Sequence, residues 1–455
     1  MIDFDKISNY SKAGPRYTSY PTAVEFHEGF GYEDLQEAFL RNDKRKDLPL
    51  SLYVHLPFCK SACYFCACNV IYTNSEKKKE RYLSYLEKEL AILKTLMQTE
   101  REVVQLHFGG GTPTYFSAEQ LARVIALVRE TFPHFAPDAE VSCEIDPRHF
   151  DEAQMVVLKA GGFNRVSFGV QDFDERVQKA INRFQSVELM EEVVGIARTH
   201  GIDSINFDFI YGLPFQNLAS FKETLKKTIA LNPDRLAIFN YAHVPWIKKT
   251  MGNIDESALP KPHEKLEILK YTIEFLQASG YKMIGMDHFA KEDDELYLAS
   301  QKGELRRNFQ GYTTRGFSQT IGIGLTSIGE GVDYYAQNYK DLKSYENALD
   351  RGVLPLERGI RLEFDDCVRK EVIMSLMNNS RLIFEHIEAR FLIDFREYFG
   401  EELRALEVFE RDGLLELRNE GIFVNATGKM VIRNIAMSFD AYLAKAPKER
   451  FSKTI

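Results

Sequence analysis

Ser51-Leu-Tyr-Val-His-Leu-Pro-Phe58 leads directly into Cys59-Lys-Ser-Ala-Cys63-Tyr-Phe-Cys66-Ala-Cys68. The first stretch alternates β-forming side chains and meets Pro57, the pattern of a strand that hands the chain to a loop at its C-terminal end. That loop holds four of the six cysteines of the chain. Thiolates packed so densely are soft ligands, suited to zinc or to iron–sulfur clusters.

Spacing separates these metals. Structural zinc usually takes two Cys-x-x-Cys pairs, or one pair with two later histidines. This loop reads Cys-x-x-x-Cys-x-x-Cys, no second pair follows, and Cys143 and Cys367 stand alone as small apolar residues. Cys59, Cys63 and Cys66 can hold three irons of a [4Fe–4S] cube and leave the fourth iron open. The cluster is the favoured reading; zinc and a disulfide are the alternatives.

Working outward, strand-then-helix units repeat. Strand-like segments at 52–56, 103–108, 140–145, 165–170, 204–210 and 235–239 are each followed by helical periodicity, at 78–96, from Ser117, at 151–160, at 174–181 with 186–200, at 220–230 and at 262–279. Ser117-Ala-Glu-Gln120 reads as a capping box. Such units build a parallel sheet with helices outside. Polar and glycine-rich signals stand just after the strands: the cysteines, Gly109-Gly-Gly-Thr-Pro113, Glu144-Ile-Asp146, Gln171-Asp172 and Tyr211-Gly-Leu-Pro214. Functional groups at successive C-terminal strand ends favour a barrel over an open sheet. The expected fold is α/β, a partial (β/α)6 TIM-like barrel.

Residues 1–45 show no clean periodicity and are expected to form an N-terminal arm. Residues 46–360 carry the barrel. From 361 to 455 the sequence reads as amphipathic helices at 365–377, 384–395 and 401–412, a hairpin at 413–425, and a last helix from Thr427 to about Leu443. Helices before a small hairpin are winged-helix-like. Acidic residues spread through this part (Asp365, Asp366, Glu385, Glu388, Glu401, Glu402) argue against DNA, so a lid or partner surface is expected.

Composition sets outer bounds. A length of 455 residues suits two or three domains, and 44 % hydrophobic with 27 % charged residues is globular. No apolar run is long enough for a membrane span, and Met1-Ile-Asp-Phe-Asp-Lys6 lacks the basic start of a secretory signal. A cytoplasmic protein is expected, in reducing surroundings that suit thiolate ligands. A net charge of −9 disfavours nucleic acid as the main partner.

Taken alone, the glycines at 109–111 are a tight turn or a close backbone approach to a ligand. Glu144 alone is a carboxylate at a strand end, and Arg183 alone a helix-surface cation. Together with the cysteine loop they gain a common meaning. Cys-x3-Cys-x2-Cys with Phe65 before the third cysteine resembles the radical S-adenosylmethionine (SAM) signature, and the additional Cys68 is similar to the oxygen-independent coproporphyrinogen III oxidase family. The likeness extends through Gly14-Pro-Arg-Tyr-Thr-Ser-Tyr-Pro-Thr-Ala23, Phe239-Asn-Tyr-Ala-His-Val-Pro245, Gly285-Met-Asp-His-Phe-Ala290, Asn308-Phe-Gln-Gly-Tyr-Thr-Thr314 and Ile432–Tyr442, nearly the whole chain.

The resemblance implies a [4Fe–4S] cluster on Cys59, Cys63 and Cys66 and two SAM sites. Tyr53, Gly110, Gly111, Thr112, Glu144 and Ile328 fall at the first; Phe65, Gln171, Arg183, Asp208 and Ala242 fall at the second. Cys68 stays unligated and, with Glu144, is expected to be catalytic. The implied substrate is coproporphyrinogen III, two of whose propionates become vinyl groups, with a flavodoxin- or ferredoxin-type protein as reductant and a monomer as the working unit. An unactivated propionate C–H bond lies beyond any side-chain base, so the SAM-derived radical must take that hydrogen. Arg16 and Arg315 are the candidates for binding propionates, and the N- and C-terminal segments for a lid. The alternatives are a haem chaperone, a haem-opening methyltransferase, or a zinc-stabilised scaffold without turnover.

Overall fold

The computed structural model describes residues 2–443, and the chain separates into two compact units. The first in importance for chemistry comprises Phe26–Thr272 and Phe317–Arg361. Its centre is six parallel strands: β1 (Leu50–Leu56), β2 (Val103–Gly110), β3 (Phe135–Ile145), β4 (Arg165–Gln171), β5 (Ser204–Tyr211) and β6 (Arg235–Asn240), each paired with the next in chain order. The intervening helices are α1 (Glu76–Leu96), α2 (Ala118–Thr131), α3 (Glu152–Ala160), α4 (Val187–Thr199) and α5 (Leu218–Ala230). Six strands in sequential parallel order, with helices between them, are the expected partial barrel.

Local chemistry explains these boundaries. Ser117 and Gln120 close the capping box of α2, Asp151 and Gln154 close one on α3, and Ser186 and Asn217 accept from the first turns of α4 and α5. Residues of β1 are buried on both faces apart from the half-buried Tyr53, as expected for a strand covered on both sides. In β5, buried Ile205, Phe207, Phe209 and Tyr211 alternate with half-buried Ser204, Asn206, Asp208 and Ile210, so a period of two sends polar residues to one face.

Beyond β1 on the other side, β7 (Gln319–Ile323) adds in parallel, and β8 (Ile328–Glu330), β9 (Tyr334–Asn338) and β10 (Leu356–Arg361) follow antiparallel. Glu89 on α1 secures this extension. It is buried and accepts from Gly324 N (2.8 Å), Asn338 Nδ2 (2.7 Å) and Tyr345 Oη (2.6 Å), while burial pushes its carboxyl up to about 7. The sequence reading had no counterpart for β7–β10, nor for the helix Tyr32–Asp43 within the expected arm.

The other unit draws its described parts from Met1–Glu25, Ile273–Gly316 and Leu362–Ile455. Helices Phe364–Asn379, Phe384–Phe391 and Gly400–Arg411 pack with a three-stranded sheet of Arg381–Ile383, Gly421–Val424 and Leu415–Leu417, the winged-helix-like arrangement. The expected helix at 384–395 breaks at Leu392, whose φ is +56°, and Asp394 caps a new turn. Asn425, not Thr427, caps the last helical stretch, which runs as Ala426–Met430, Ile432–Ala436 and a 3-10 turn at Met437–Phe439.

Ile7, Tyr17 and Tyr20 are fully buried in the same core as Val372, Leu376, Phe395, Phe399 and Phe439, and Arg433 Nε donates to Pro15 O at 2.8 Å. The compact units therefore follow other boundaries than 1–45, 46–360 and 361–455. Residues 2–25 share a core with residues far along the chain, a tertiary choice that no local periodicity records.

Candidate active site

Strand register builds the site. Across the sheet, Tyr53 stands opposite His107 and His107 opposite Ser142; one step further along, Glu144 stands opposite Ser167 and Ser167 opposite Asn206, and beyond them Gly169 opposite Asp208. These rows share a face at the C-terminal ends of β1–β5. A cavity of about 270 Å³ opens there.

The cysteine loop forms one wall. A short parallel ladder of Phe58–Cys59 with Ile71–Tyr72 holds its ends, and Asn182 Nδ2 donates to Ala62 O at 2.7 Å. Cys59, Cys63, Cys66 and Cys68 all line the cavity. Cys63 is buried, Cys59 and Cys66 are half-buried, and Cys68 is exposed. Among the described residues no three His, Cys, Asp or Glu side chains form a group for one metal ion. A four-iron cube takes one thiolate per corner, so its ligands surround it instead of converging on a point.

Polar groups surround the sulfurs. Arg148 Nη2 and Arg183 Nη1 donate to Cys63 Sγ at 3.5 and 3.6 Å. Both arginines also donate to Asp146 Oδ2, at 2.7 and 3.1 Å. Burial acts to raise the Asp146 carboxyl, but Arg183 and Arg148 outweigh it and hold the group well below the usual carboxylate range. Cys59 Sγ lies 3.3 Å from Thr112 Oγ1, while burial pushes its thiol up to about 12. Within the Cys66–Cys68 pair, Cys66 is drawn down to about 7 by the Cys68 hydrogen bond, and Cys68 is pushed up as the donor.

The glycine turn adjoins this wall, and Gly110, Gly111 and Thr112 also line the cavity. Gly110 has φ +113°, and a Cβ there would meet the His55 ring at 2.7 Å. A Cβ on Gly111 would stand 2.7 Å from the Pro57 carbonyl carbon and 2.9 Å from Phe58 O. Gly111 N donates to Leu56 O (2.9 Å) and Thr112 N to Phe58 O (3.0 Å), which clamps the turn to the end of β1.

Glu144 lines the cavity too; it accepts from Gly110 N at 3.3 Å and pairs with His107 Nε2 at 3.2 Å. Burial acts to raise this carboxyl, but the His107 hydrogen bond leads a larger opposing set and holds it low. His107 Nδ1 bonds Ser142 Oγ at 2.6 Å, and its ring stacks on Tyr53 with centroids 5.8 Å apart. Asp208 accepts from Ser167 Oγ and Asn206 Nδ2, both at 2.8 Å. Gln171 sits at φ +70° beside a register shift, a backbone state that ordinarily costs a non-glycine residue about 1 kcal/mol or more.

Phe65, Gly110, Gly111, Thr112, Glu144, Gln171, Arg183 and Asp208 thus line one cavity with the cysteines. Tyr53 lies behind it, against His55 Nδ1 (3.0 Å) and His107. Ala242 and Ile328 are half-buried and do not line it; Ile328 stands in β8 opposite Gln337. The sequence reading passed over His107, Asp146 and Arg148. Asp146 was within the quoted strand end, and Arg148 follows Pro147 directly, but only the fold sets their side chains against Glu144 and Cys63.

His55 makes one stability prediction. Burial pushes its pKa down to about 4, whereas an unfolded histidine titrates near 6.5. The unfolded chain therefore binds the proton first, and folding should lose up to about 3 kcal/mol as pH falls from 7 towards 4. Urea unfolding at pH 7 and 4.5 should show this fall for the parent chain and a smaller one for His55→Asn.

A strand-borne cysteine loop facing a glycine turn at the mouth of parallel β/α units is the layout of radical SAM proteins, and the radical SAM superfamily profile matches residues 53–228. The HemN C-terminal domain profile matches residues 362–431. An oxygen-independent coproporphyrinogen III oxidase from Helicobacter pylori is 60 % identical over 100 % of this chain and 99 % of its own. Its Escherichia coli counterpart is 48 % identical, with the same two coverages. The solved structure of coproporphyrinogen III oxidase (HemN) from Escherichia coli, described as a radical SAM enzyme, superposes with a TM-score of 0.92 at 47 % identity, over 97 % of this chain and 99 % of that one. The chain belongs to the oxygen-independent coproporphyrinogen III oxidase family.

Proposed function

We propose that this chain carries out the radical SAM oxidative decarboxylation of two propionates of coproporphyrinogen III to vinyl groups, giving protoporphyrinogen IX in anaerobic haem synthesis. The observation that carries this reading is the convergence of Cys59, Cys63 and Cys66 with Gly110, Gly111 and Thr112 on one cavity, in a chain of this family.

The donor set fits the group. Three thiols share a wall, and the Arg148 and Arg183 guanidiniums both donate to the Cys63 sulfur. When bound, the [4Fe–4S] cluster and SAM supply the single electron and the hydrogen-atom acceptor that an unactivated C–H bond demands. The rest falls to side chains. Gly110 and Gly111 let the β2 turn approach a ligand closely, and Glu144, held anionic, faces the cavity as partner for the SAM ammonium. Phe65, Gln171, Arg183 and Asp208 offer an aromatic face, an amide and both charge signs for the second SAM. Cys68, exposed beside Cys66, remains outside the ligand set as a group for positioning or proton movement. A flavodoxin- or ferredoxin-type reductant, a cytoplasmic setting and a monomer complete the reading; no helix among the described residues is long and apolar enough to cross a membrane.

Anaerobic turnover tests it. Protein with iron and sulfide should convert coproporphyrinogen III to protoporphyrinogen while releasing 5′-deoxyadenosine from SAM. Colourless protein with stoichiometric zinc and no 5′-deoxyadenosine would overturn the reading. Arg148 adds a prediction with its own readout. Hydrogen bonds to cluster sulfurs make reduction easier, so Arg148→Gln should shift the cluster midpoint negative by roughly 50–100 mV in an EPR titration, the equivalent of one charge-assisted hydrogen bond.

A further inference from the structure

Asn240-Tyr-Ala-His-Val-Pro245 leaves β6 at its C-terminal end, and the reading above uses only Ala242 from it. The two side chains flanking Ala242 are joined. Tyr241 Oη lies 2.8 Å from His243 Nδ1, and His243 Nε2 lies 3.0 Å from Glu256 Oε1. One neutral tautomer serves both bonds: the phenol donates to Nδ1, and Nε2–H donates to the carboxylate. Burial, and then the Glu256 charge, pushes the Tyr241 phenol up to about 12, so it keeps the proton it donates. A bond between residues i and i+2 closes a ring around the Ala242 peptide, whose orientation is then fixed with theirs.

Tyr241 is also the polar edge of an apolar cluster. With Val177, Ile181, Leu213, Met251 and Ile254 it forms a buried core, and Tyr64 and Phe65 of the cysteine loop pack against it. Hydrogen bonds tie the same segments. Tyr64 N donates to Ile181 O at 3.0 Å, Tyr241 N to Tyr211 O at 2.8 Å, and Val244 N to Met251 Sδ at 3.4 Å. Phe65 lines the cavity, and so does Arg183, two residues beyond Ile181. Phe65, Arg183 and Ala242, all assigned to the second SAM, thus come from three segments that meet at this cluster. The first SAM site is built elsewhere: Gly110, Gly111, Thr112 and Glu144 stand at the ends of β2 and β3 and are not among the residues packed in it.

The two bonds of His243 differ in weight. Glu256 is exposed, and its pairing competes with water. Tyr241 is buried, so its hydroxyl left without an acceptor costs the full desolvation of that group. We propose that Tyr241, His243 and Glu256 form a clasp that positions the second SAM site, with His243 as the positioning residue. It holds the Ala242 peptide directly and, through Tyr241 and the apolar cluster, the Phe65 wall. The assignment rests on the two-SAM reading above and adds a residue to which that reading gives no part. His243 acts through these neighbours and not by touching SAM.

The test uses anaerobically reconstituted holoenzyme carrying His243→Leu, which removes both ring nitrogens at similar bulk, or His243→Asn, whose Oδ1 can still accept from Tyr241. Iron content reports loading, and the change that SAM produces in the EPR spectrum of the reduced cluster reports the first site. Equilibrium dialysis with labelled SAM counts the equivalents bound and gives their affinities. The parent should bind two. His243→Leu should weaken the second by ~10-fold, the size of one buried hydrogen bond left unanswered, with iron content and the EPR titration as in the parent. His243→Asn should recover most of that loss. Trp246 gives a readout that needs no cofactor: it is the one tryptophan of the chain, three residues from His243 and 76 % exposed. Its fluorescence anisotropy in the full chain before reconstitution should fall in His243→Leu and hold the parent value in His243→Asn. Unchanged affinity for both equivalents in His243→Leu, or equal weakening of the two, would overturn the assignment. Should His243→Leu not load iron, Tyr241→Phe, which removes the same bond and keeps the ring in the cluster, decides by the same dialysis. A parent holoenzyme that binds two equivalents, with His243→Leu indistinguishable from it, removes the clasp alone. A parent that binds only one removes the two-site reading and the clasp together.

Discussion

Cys63→Ser should yield a colourless protein without bound iron, and turnover should fall by more than ~10³-fold, about 4 kcal/mol of lost barrier reduction. A hydroxyl is a poor ligand for iron beside thiolates. The loss is compounded because Cys63 is buried and meets two guanidiniums, which would face a neutral oxygen. Cys59→Ser and Cys66→Ser should behave alike, since three corners of a cube have no substitute nearby. Cys68→Ser should differ sharply. Cys68 is exposed and serves Cys66 as a hydrogen-bond donor, and a serine hydroxyl can still donate. Its iron and sulfide content should equal that of the parent chain, with any defect confined to product formation. Iron analysis and visible spectra on anaerobically purified protein separate the outcomes; cluster loss in Cys68→Ser would make it a fourth ligand and close the open iron.

Gly111→Ala is the second large effect. The added methyl would stand 2.7 Å from the Pro57 carbonyl carbon, 2.8 Å from Pro57 O and 2.9 Å from Phe58 O. These are backbone atoms, so no side chain can swing away. The chain must move where the turn is clamped to Leu56 at the end of β1 and to Phe58 beyond it, by hydrogen bonds of 2.9 and 3.0 Å. Overpacking of this kind costs roughly 1–3 kcal/mol of stability. Separation of the cysteine loop from the glycine turn by a fraction of an ångström should lower turnover on the order of 10²-fold, because both walls position the same ligands. Gly109→Ala is the contrast: its closest contacts are the far ends of Glu144 and His107 side chains, at 3.1 Å. Urea unfolding and SAM-dependent 5′-deoxyadenosine release should rank the two variants in that order; equal behaviour would show that the turn is not held tightly.

Much of this architecture was written in local patterns. The strand into Cys59, the six strand–helix repeats and the caps at Ser117, Asp151 and Ser186 all depend on neighbours a few residues apart, which is the range over which periodicity and capping act. The helix Tyr32–Asp43 carries a weaker signal because Gly31, without a side chain, stands at the N-cap, and only Asp34 reaches back to cap Gly31 N, at 2.8 Å. The 384–395 helix was over-extended because Leu392 gives no sequence sign of adopting a left-handed conformation.

By itself the sequence determined the cysteine spacing, and hence a soft-ligand site, together with the strand ends on which the polar residues fall. Only tertiary structure decided that Arg148 and Arg183 share Cys63 with Asp146, that His107 holds Glu144, and that Tyr17 and Tyr20 belong to the core of the C-terminal helices. Spacing along a chain fixes which residue types can reach one ion or one helix face. Which cation neutralises which sulfur, and which distant aromatic fills which core, is set by strand register and packing, where residues hundreds of positions apart become neighbours.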